Sequence, residues 1–188
     1  MSLLIIGIAI WCGAHLFPAA LPTQRKALLE RLGEKAYRGL FSLVILAALL
    51  SIVFGWRQAM PAQVYAPPFG PGPAVSLMVL AALFLFFASK TQGNVKRLIR
   101  HPQMTGVMLW GIAHLLTNGD SRSLALFGSF TVWAGLEILL INRREGAWRK
   151  PGPAAIRQDL IPLGIGITVF VVVAAFHARL FGVPAFPG

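Results

Sequence analysis

Six apolar runs, separated by loops that alternate between strongly basic and nearly uncharged, constrain this chain more than any other feature. The runs lie near residues 2–20, 39–56, 73–89, 103–118, 123–141 and 160–178. A helix that crosses a bilayer needs about 20 residues and tolerates roughly 17. Several runs are near that lower limit, and the fourth is slightly shorter. In lipid every backbone polar group must be satisfied within its own segment, so apolar runs of this length are helices. The expected fold is all-α: a polytopic membrane helical bundle of about six transmembrane helices, forming one domain over residues 1–188. The lipid bilayer is its first partner. A composition of 56% hydrophobic and 12% charged residues agrees, since soluble domains carry about 25% charged residues.

The loops set the orientation. The first holds Arg25, Lys26, Arg31, Lys35 and Arg38, and the third holds Lys90, Lys96, Arg97 and Arg100. The fifth holds Arg143, Arg144, Arg149, Lys150 and Arg157. Of the 17 basic residues only Arg57, Arg122 and Arg179 fall on the other side. Basic loops stay in the cytoplasm, which predicts both termini on the periplasmic side of a bacterial inner membrane. The formal net charge of +11 is then a topology signal with anionic-lipid contact, and nucleic-acid binding is not expected.

Smaller features complete the frame. Leu28, Leu29 and Leu32 recur near helical spacing among charges, which predicts a short surface helix between Thr23 and Arg38. The loop from Met60 to Pro73 carries five prolines and cannot be regular helix; it reads as an ordered cap or a flexible turn. Asn118-Gly119-Asp120 reads as a tight turn. The single cysteine, Cys12, rules out an internal disulfide and reads as a small core residue. The apolar N-terminus lacks a charged leader and a small-residue cleavage site, so it reads as a retained helix. No internal repeat and no second domain are read.

Ionisable side chains within apolar runs are costly and are usually kept for function. His114 lies on the fourth run, one helical turn after Trp110, and His15 lies on the first, beside Trp11 and Cys12. Two imidazoles on different helices point to a metal or haem, because bis-histidine ligation needs two such rings. The alternative for each is a neutral ring bonded to a backbone carbonyl. Counted from helix centres, the two sit on opposite sides of the midplane, a stagger of roughly 11 Å at about 1.5 Å per residue.

Arg100 and His101 precede Pro102 at the start of the fourth run. A cation and a helix N-terminus both favour an anion, such as a cofactor carboxylate; the alternative is contact with lipid phosphate. His177 reads as interfacial. Glu137 is the one acid well inside a run. It either orients a histidine ring, as carboxylates behind metal ligands do, or reaches the cytoplasmic interface. No nucleophile elbow, phosphate-cradling glycine loop or paired-cysteine metal pattern is present, which argues against hydrolase, nucleotidase and structural-zinc functions.

The chain resembles the NnrU family of bacterial integral membrane proteins. The resemblance rests on Arg100-His101-Pro102-Gln103-Met104-Thr105-Gly106, Leu109-Trp110-Gly111-Ile112-Ala113-His114 and Asn118-Gly119-Asp120, together with the first-helix histidine and Asn142-Arg143-Arg144. It implies a role in denitrification, linked to expression or maturation of nitrite and nitric oxide reductases. It also implies kinship with the 15-cis-zeta-carotene isomerase, a membrane haem b protein whose axial histidines match His15 and His114. On that resemblance the cofactor is haem b, His15 and His114 are the metal ligands, and His101 and Arg100 steady the cofactor. The partners would be haem or redox proteins, with a hydrophobic small molecule as substrate if the chain is an enzyme. The isomerase carries a cysteine three residues before its second ligand, where this chain has Gly111; Cys12 holds the same spacing before His15. A weaker resemblance, Arg-His-Pro-x-x-x-Gly, is to membrane methyltransferases that use S-adenosylmethionine, although Glu137 and Glu145 lack the context of their paired glutamates. A non-enzymatic assembly factor or carrier is the remaining alternative.

Overall fold

A computed structural model describes residues 1–186. It is 75% helical, and no strand occurs among the described residues. The helices are α1 (Ser2–Ala20), α2 (Pro22–Leu32), α3 (Glu34–Gln58), α4 (Pro73–Ala88), the single turn α5 (Val95–Leu98) and α6 (Pro102–Leu115). They continue with the three-residue α7 (Ser121–Ser123), a π-helical turn (Leu124–Gly128), α8 (Ser129–Glu145) and α9 (Arg157–Phe181). From α7 to α8 the chain is one rod, Ser121–Glu145.

Each of the six apolar runs is helical. Four helices are long and apolar enough to cross a membrane: Ser2–Ala20, Glu34–Gln58, Ser121–Glu145 and Arg157–Phe181. The other two are shorter, α4 at 16 residues and α6 at 14. Large apolar side chains stay exposed along the long helices, including Leu43, Leu46 and Phe54 on α3 and Val171 and Val172 on α9. That surface suits lipid and would aggregate in water.

The helices pack in the lateral order α3, α1, α8, α6, α4, α9. Directions follow from residue pairs. Gly55, late in α3, meets Leu4, early in α1, and His15 meets Phe41, so α1 and α3 are antiparallel. His101 meets Asn142 while His114 meets Phe127, so α6 and α8 are antiparallel. Leu4 and Ile8 pack with Ala125 and Leu126, and Trp11 and His15 meet Trp133, so α1 runs parallel to α8. Therefore α1 and α6 flank α8 in opposite directions. Both make close crossings through a glycine. A Cβ on Gly7 would come within 2.7 Å of the Ile52 nitrogen on α3, and one on Gly106 within 2.6 Å of the Ala82 oxygen on α4.

Both ends of the short α6 are tied down. The loop between α3 and α4 folds as an ordered cap over its C-terminus. The Tyr65 hydroxyl donates to the Leu115 and Asn118 carbonyls, and the Phe69 N–H reaches the Leu116 oxygen at 3.1 Å. The Val64 and Tyr65 N–H groups share the Gly119 oxygen. The last carbonyls of a helix have no partner within it, and the prolines leave this loop extended enough to supply one.

At the other end, the expected surface helix ends at Gly33, whose φ of +76° favours glycine. Helix α3 then starts earlier than residue 39, with the exposed pair Glu34–Arg38 at 2.5 Å in its first turn. The carboxylate of Asp159 on α9 accepts from the Asn94 N–H at 2.9 Å and the Val95 N–H at 3.1 Å.

Candidate functional site

Five aromatic side chains and two histidines fill the space between α1, α6 and α8. Trp11 stacks on Phe130 with ring centres 5.7 Å apart and meets Trp133 edge-on at 6.5 Å. Phe130 also contacts Trp110 at 6.1 Å and Trp133 at 5.7 Å. Such pairs add roughly 0.5–1.5 kcal/mol each beyond their buried area, so this layer ties α1, α6 and α8 together.

His15 and His114 stand at its two ends. The His15 ring lies 4.6 Å from Trp11, 5.3 Å from Trp133 and 5.6 Å from Phe41. The His114 ring stacks on Phe127 at 4.3 Å and lies 5.1 Å from Trp110. The structure thus joins them through one layer and leaves them without direct ring contact. Their partners on α8, Trp133 and Phe127, are six positions apart, which is roughly 9 Å at 1.5 Å per residue. The stagger expected from the sequence is present.

The two sites share one local design. His15 Nδ1 is 2.9 Å from the Trp11 carbonyl, and His114 Nδ1 is 2.8 Å from the Trp110 carbonyl. A carbonyl can only accept, so Nδ1 carries the proton and a neutral ring keeps its lone pair on Nε2. This arrangement presents Nε2 as a ligand and fixes the ring through its other nitrogen. Read in this light, the sequence contains the same unit twice: Gly7-x-x-x-Trp11-x-x-Ala14-His15-Leu16 and Gly106-x-x-x-Trp110-x-x-Ala113-His114-Leu115. A linear reading overlooked this repeat because the copies lie far apart in the chain. The signal was the shared offset of Gly, Trp, Ala and His.

Two more residues belong to this layer. The Trp11 Nε1 is a buried donor with no acceptor among the described residues, whereas the Trp133 indole faces the Glu137 carboxylate. Glu137, one turn beyond Trp133, is buried at 7% exposure. Buried donors normally find partners, so the Trp11 indole suits a group that brings an acceptor atom into the layer. The two imidazole Nε2 atoms have no hydrogen-bond partner among the described residues and are donors of the type that haem iron takes. The rings of this layer fill the space between the two histidines.

The π-helical turn was not expected. It carries Phe127, and the Thr131 hydroxyl donates to the Phe127 carbonyl at 2.7 Å. Such turns commonly sit at functional sites, and this one sets Phe127 against His114 and Trp110. Gly111 packs on the same turn. A Cβ there would strike the Thr131 hydroxyl and approach the Phe127 oxygen at 2.8 Å. The position three residues before His114 therefore has no room for a cysteine side chain. Cys12 is half-buried against the cluster of Leu4, Ile8 and Ile52, as a small core residue would be.

Arg100 and His101 lie at the opposite end of α6 from His114. Arg100 donates to the Gly146 carbonyl at 2.8 Å and pairs with Glu145 at 3.5 Å. His101 Nε2 donates to Asn142 Oδ1 at 2.9 Å. All three partners sit at the C-terminus of α8, where a cation complements the helix dipole. Through these contacts Arg100 and His101 link the start of α6 to the end of α8. His177 is bonded at 2.6 Å to the Val183 carbonyl, beside Phe181. No group of three or more metal-ligating side chains occurs among the described residues.

Among curated proteins and solved structures none matches this chain. The model of one protein family, described as NnrU protein, matches residues 3–185, and the chain belongs to that family.

Proposed function

We propose that this protein is a membrane haem b protein in which His15 and His114 hold the iron. The observation that carries this reading is the twin Trp-x-x-x-His unit, in which each Nδ1 is committed to a carbonyl and each Nε2 is left free. Bound there, haem b supplies one-electron transfer at its iron. The protein's own contributions are separate. The carbonyls of Trp11 and Trp110 hold the rings in one tautomer, the aromatic layer excludes water, and the indole N–H of Trp11 would be open to an acceptor atom of the bound group. Arg100 and His101 act at a distance, by holding α6 against α8.

The membership of the NnrU family supports placing this redox or nitric-oxide-related role in denitrification, in support of nitrite and nitric oxide reductases. Isomerase-type ligand exchange by a cysteine is not part of the proposal, because Gly111 faces a closed helix crossing. Nor does any observation favour S-adenosylmethionine at Arg100 and His101, whose polar atoms are taken by α8.

The membrane arrangement that goes with this reading has six crossings and both termini on the periplasmic side of the bacterial inner membrane. Helices α4 and α6 complete it despite their length, since each lies between two neighbours and the capping loop extends α6 with satisfied backbone. Absorption spectra of the detergent-purified protein, oxidised and dithionite-reduced, test the reading. We expect a Soret band with sharp reduced α and β bands, lost or shifted in both His15→Ala and His114→Ala. A colourless protein from haem-replete cells would overturn it and leave the histidines as structural groups of an assembly factor.

A further inference from the structure

The three arginines that do not belong to the basic loops meet in one place. Arg57 closes α3, Arg122 lies in α7, and Arg179 is in the last turn of α9. Together with Trp56 and Phe181 they line an open cleft of about 380 Å³ at the end of the bundle opposite the basic loops. Topology does not explain them, because basic residues are disfavoured on that side. Their convergence from three separate segments needs another cause.

Local pairing leaves most of this charge uncompensated. Asp120 is the nearby acid, 3.6 Å from Arg122 Nε. Its carboxylate is committed to capping the helix, accepting from the Arg122 and Ser123 N–H groups at 3.1 Å and from the Ser123 hydroxyl at 2.6 Å. Arg122 Nε is buried and has no hydrogen-bond acceptor among the described residues. Its guanidinium lies 4.4 Å from the centre of the Trp56 ring, and the Trp56 indole donates to the Phe181 carbonyl at 3.3 Å, so the wall of the cleft is fixed. Among the described residues neither Arg57 nor Arg179 has a carboxylate partner. Like charges gathered in a partly shielded cleft repel unless an anion joins them. Forked guanidinium donors match the geometry of phosphate oxygens.

We propose that this cleft is a binding site for a phosphate-type oxyanion, held by Arg57, Arg122 and Arg179 against the Trp56 ring. Phosphate could come from an anionic lipid headgroup or from solution. The proposal is independent of haem at His15 and His114.

The test compares the full-length wild type with an Arg57→Gln/Arg179→Gln double variant, both side chains being exposed and without a hydrogen bond or ion pair among the described residues. Titration calorimetry with inorganic phosphate in detergent forms one arm. Native mass spectrometry after transfer to mixed phosphatidylglycerol and phosphatidylcholine nanodiscs, scoring retained phosphatidylglycerol, forms the other. Phosphate binding that weakens tenfold or more in the variant supports the site with a soluble oxyanion. Absence of phosphate binding, with one retained lipid fewer in the variant, supports it with a headgroup. Binding that the substitutions leave unchanged, or no binding in either arm, overturns it. An unaltered haem spectrum in the variant keeps this result separate from the haem reading.

Discussion

Gly111→Ala is the sharpest probe of the candidate site, because the methyl group it adds would enter the closest contact between α6 and α8. The new Cβ would strike Thr131 Oγ1 and lie 2.8 Å from the Phe127 oxygen. The hydroxyl cannot simply turn aside, since it is bonded at 2.7 Å to that same carbonyl in the π-helical turn. Overpacking of this kind costs about 1–3 kcal/mol, and a lost hydrogen bond adds about 1. Better helix propensity returns about 0.8–1 kcal/mol. The net loss is about 1–3 kcal/mol, which at about 2–4 °C per kcal/mol lowers Tm by roughly 2–12 °C. Gly13→Ala is the matched control: its Cβ would meet nothing within 4 Å, so only the propensity gain remains. Helical circular dichroism followed during heating in detergent reads both. Adding Thr131→Ala to Gly111→Ala should recover part of the loss, as a coupled pair does. Equal stability of Gly111→Ala and Gly13→Ala would refute the close crossing, and with it the argument that no cysteine can stand before His114.

Two further outcomes test the ends of α6. Tyr65→Phe removes the donor that serves the Leu115 and Asn118 carbonyls and should cost about 1–3 kcal/mol, read as a lower thermal midpoint. Burial first, and then the charge of Asp120, push the Tyr65 phenol above its ordinary value of 10.0. Its neutral form is therefore favoured in the folded state, so its contribution is complete below pH 10.0 and declines as alkali ionises it; Tyr65→Phe should lack that alkaline component. His101→Ala should lower stability by about 0.5–1.5 kcal/mol through the lost bond to Asn142 while leaving the haem spectrum unchanged. Loss of the Soret band in that variant would return His101 to the cofactor.

The apolar runs were legible because lipid imposes length and composition directly. The run near 2–20 is Ser2–Ala20 itself, and 160–178 lies within Arg157–Phe181. Errors fell where charge begins a helix. Glu34 to Arg38 looked like loop because it is polar, yet its i,i+4 pair belongs to the first turn of α3. The four histidines were visible as residue types, but their hydrogen-bond partners were not. The role of Arg100 and His101 depended on the end of α8, more than 40 residues away in sequence. The π-helical turn has no sequence marker, since Leu124 to Gly128 would suit an ordinary helix equally well. The cleft of Arg57, Arg122 and Arg179 was equally hidden: each residue closes or opens a different helix, and their meeting depends on the end of α9 reaching the end of α3.

That lateral order also explains why one helix decides the character of both histidine sites. Because α1 runs with α8 and α6 runs against it, the same Gly-x-x-x-Trp-x-x-Ala-His unit is presented to α8 twice in opposite senses. In a parallel arrangement both histidines would meet the same level of α8 and the same partners. The inversion instead assigns Trp133 to His15 and Phe127 to His114, with Phe130 between them touching both tryptophans of the repeated unit. The ring environments therefore differ although the local ligand design is identical. One histidine meets an indole edge beside buried Glu137; the other stacks on a phenyl ring in a widened helical turn. The asymmetry between the two histidine surroundings therefore comes from α8 and not from the repeated unit.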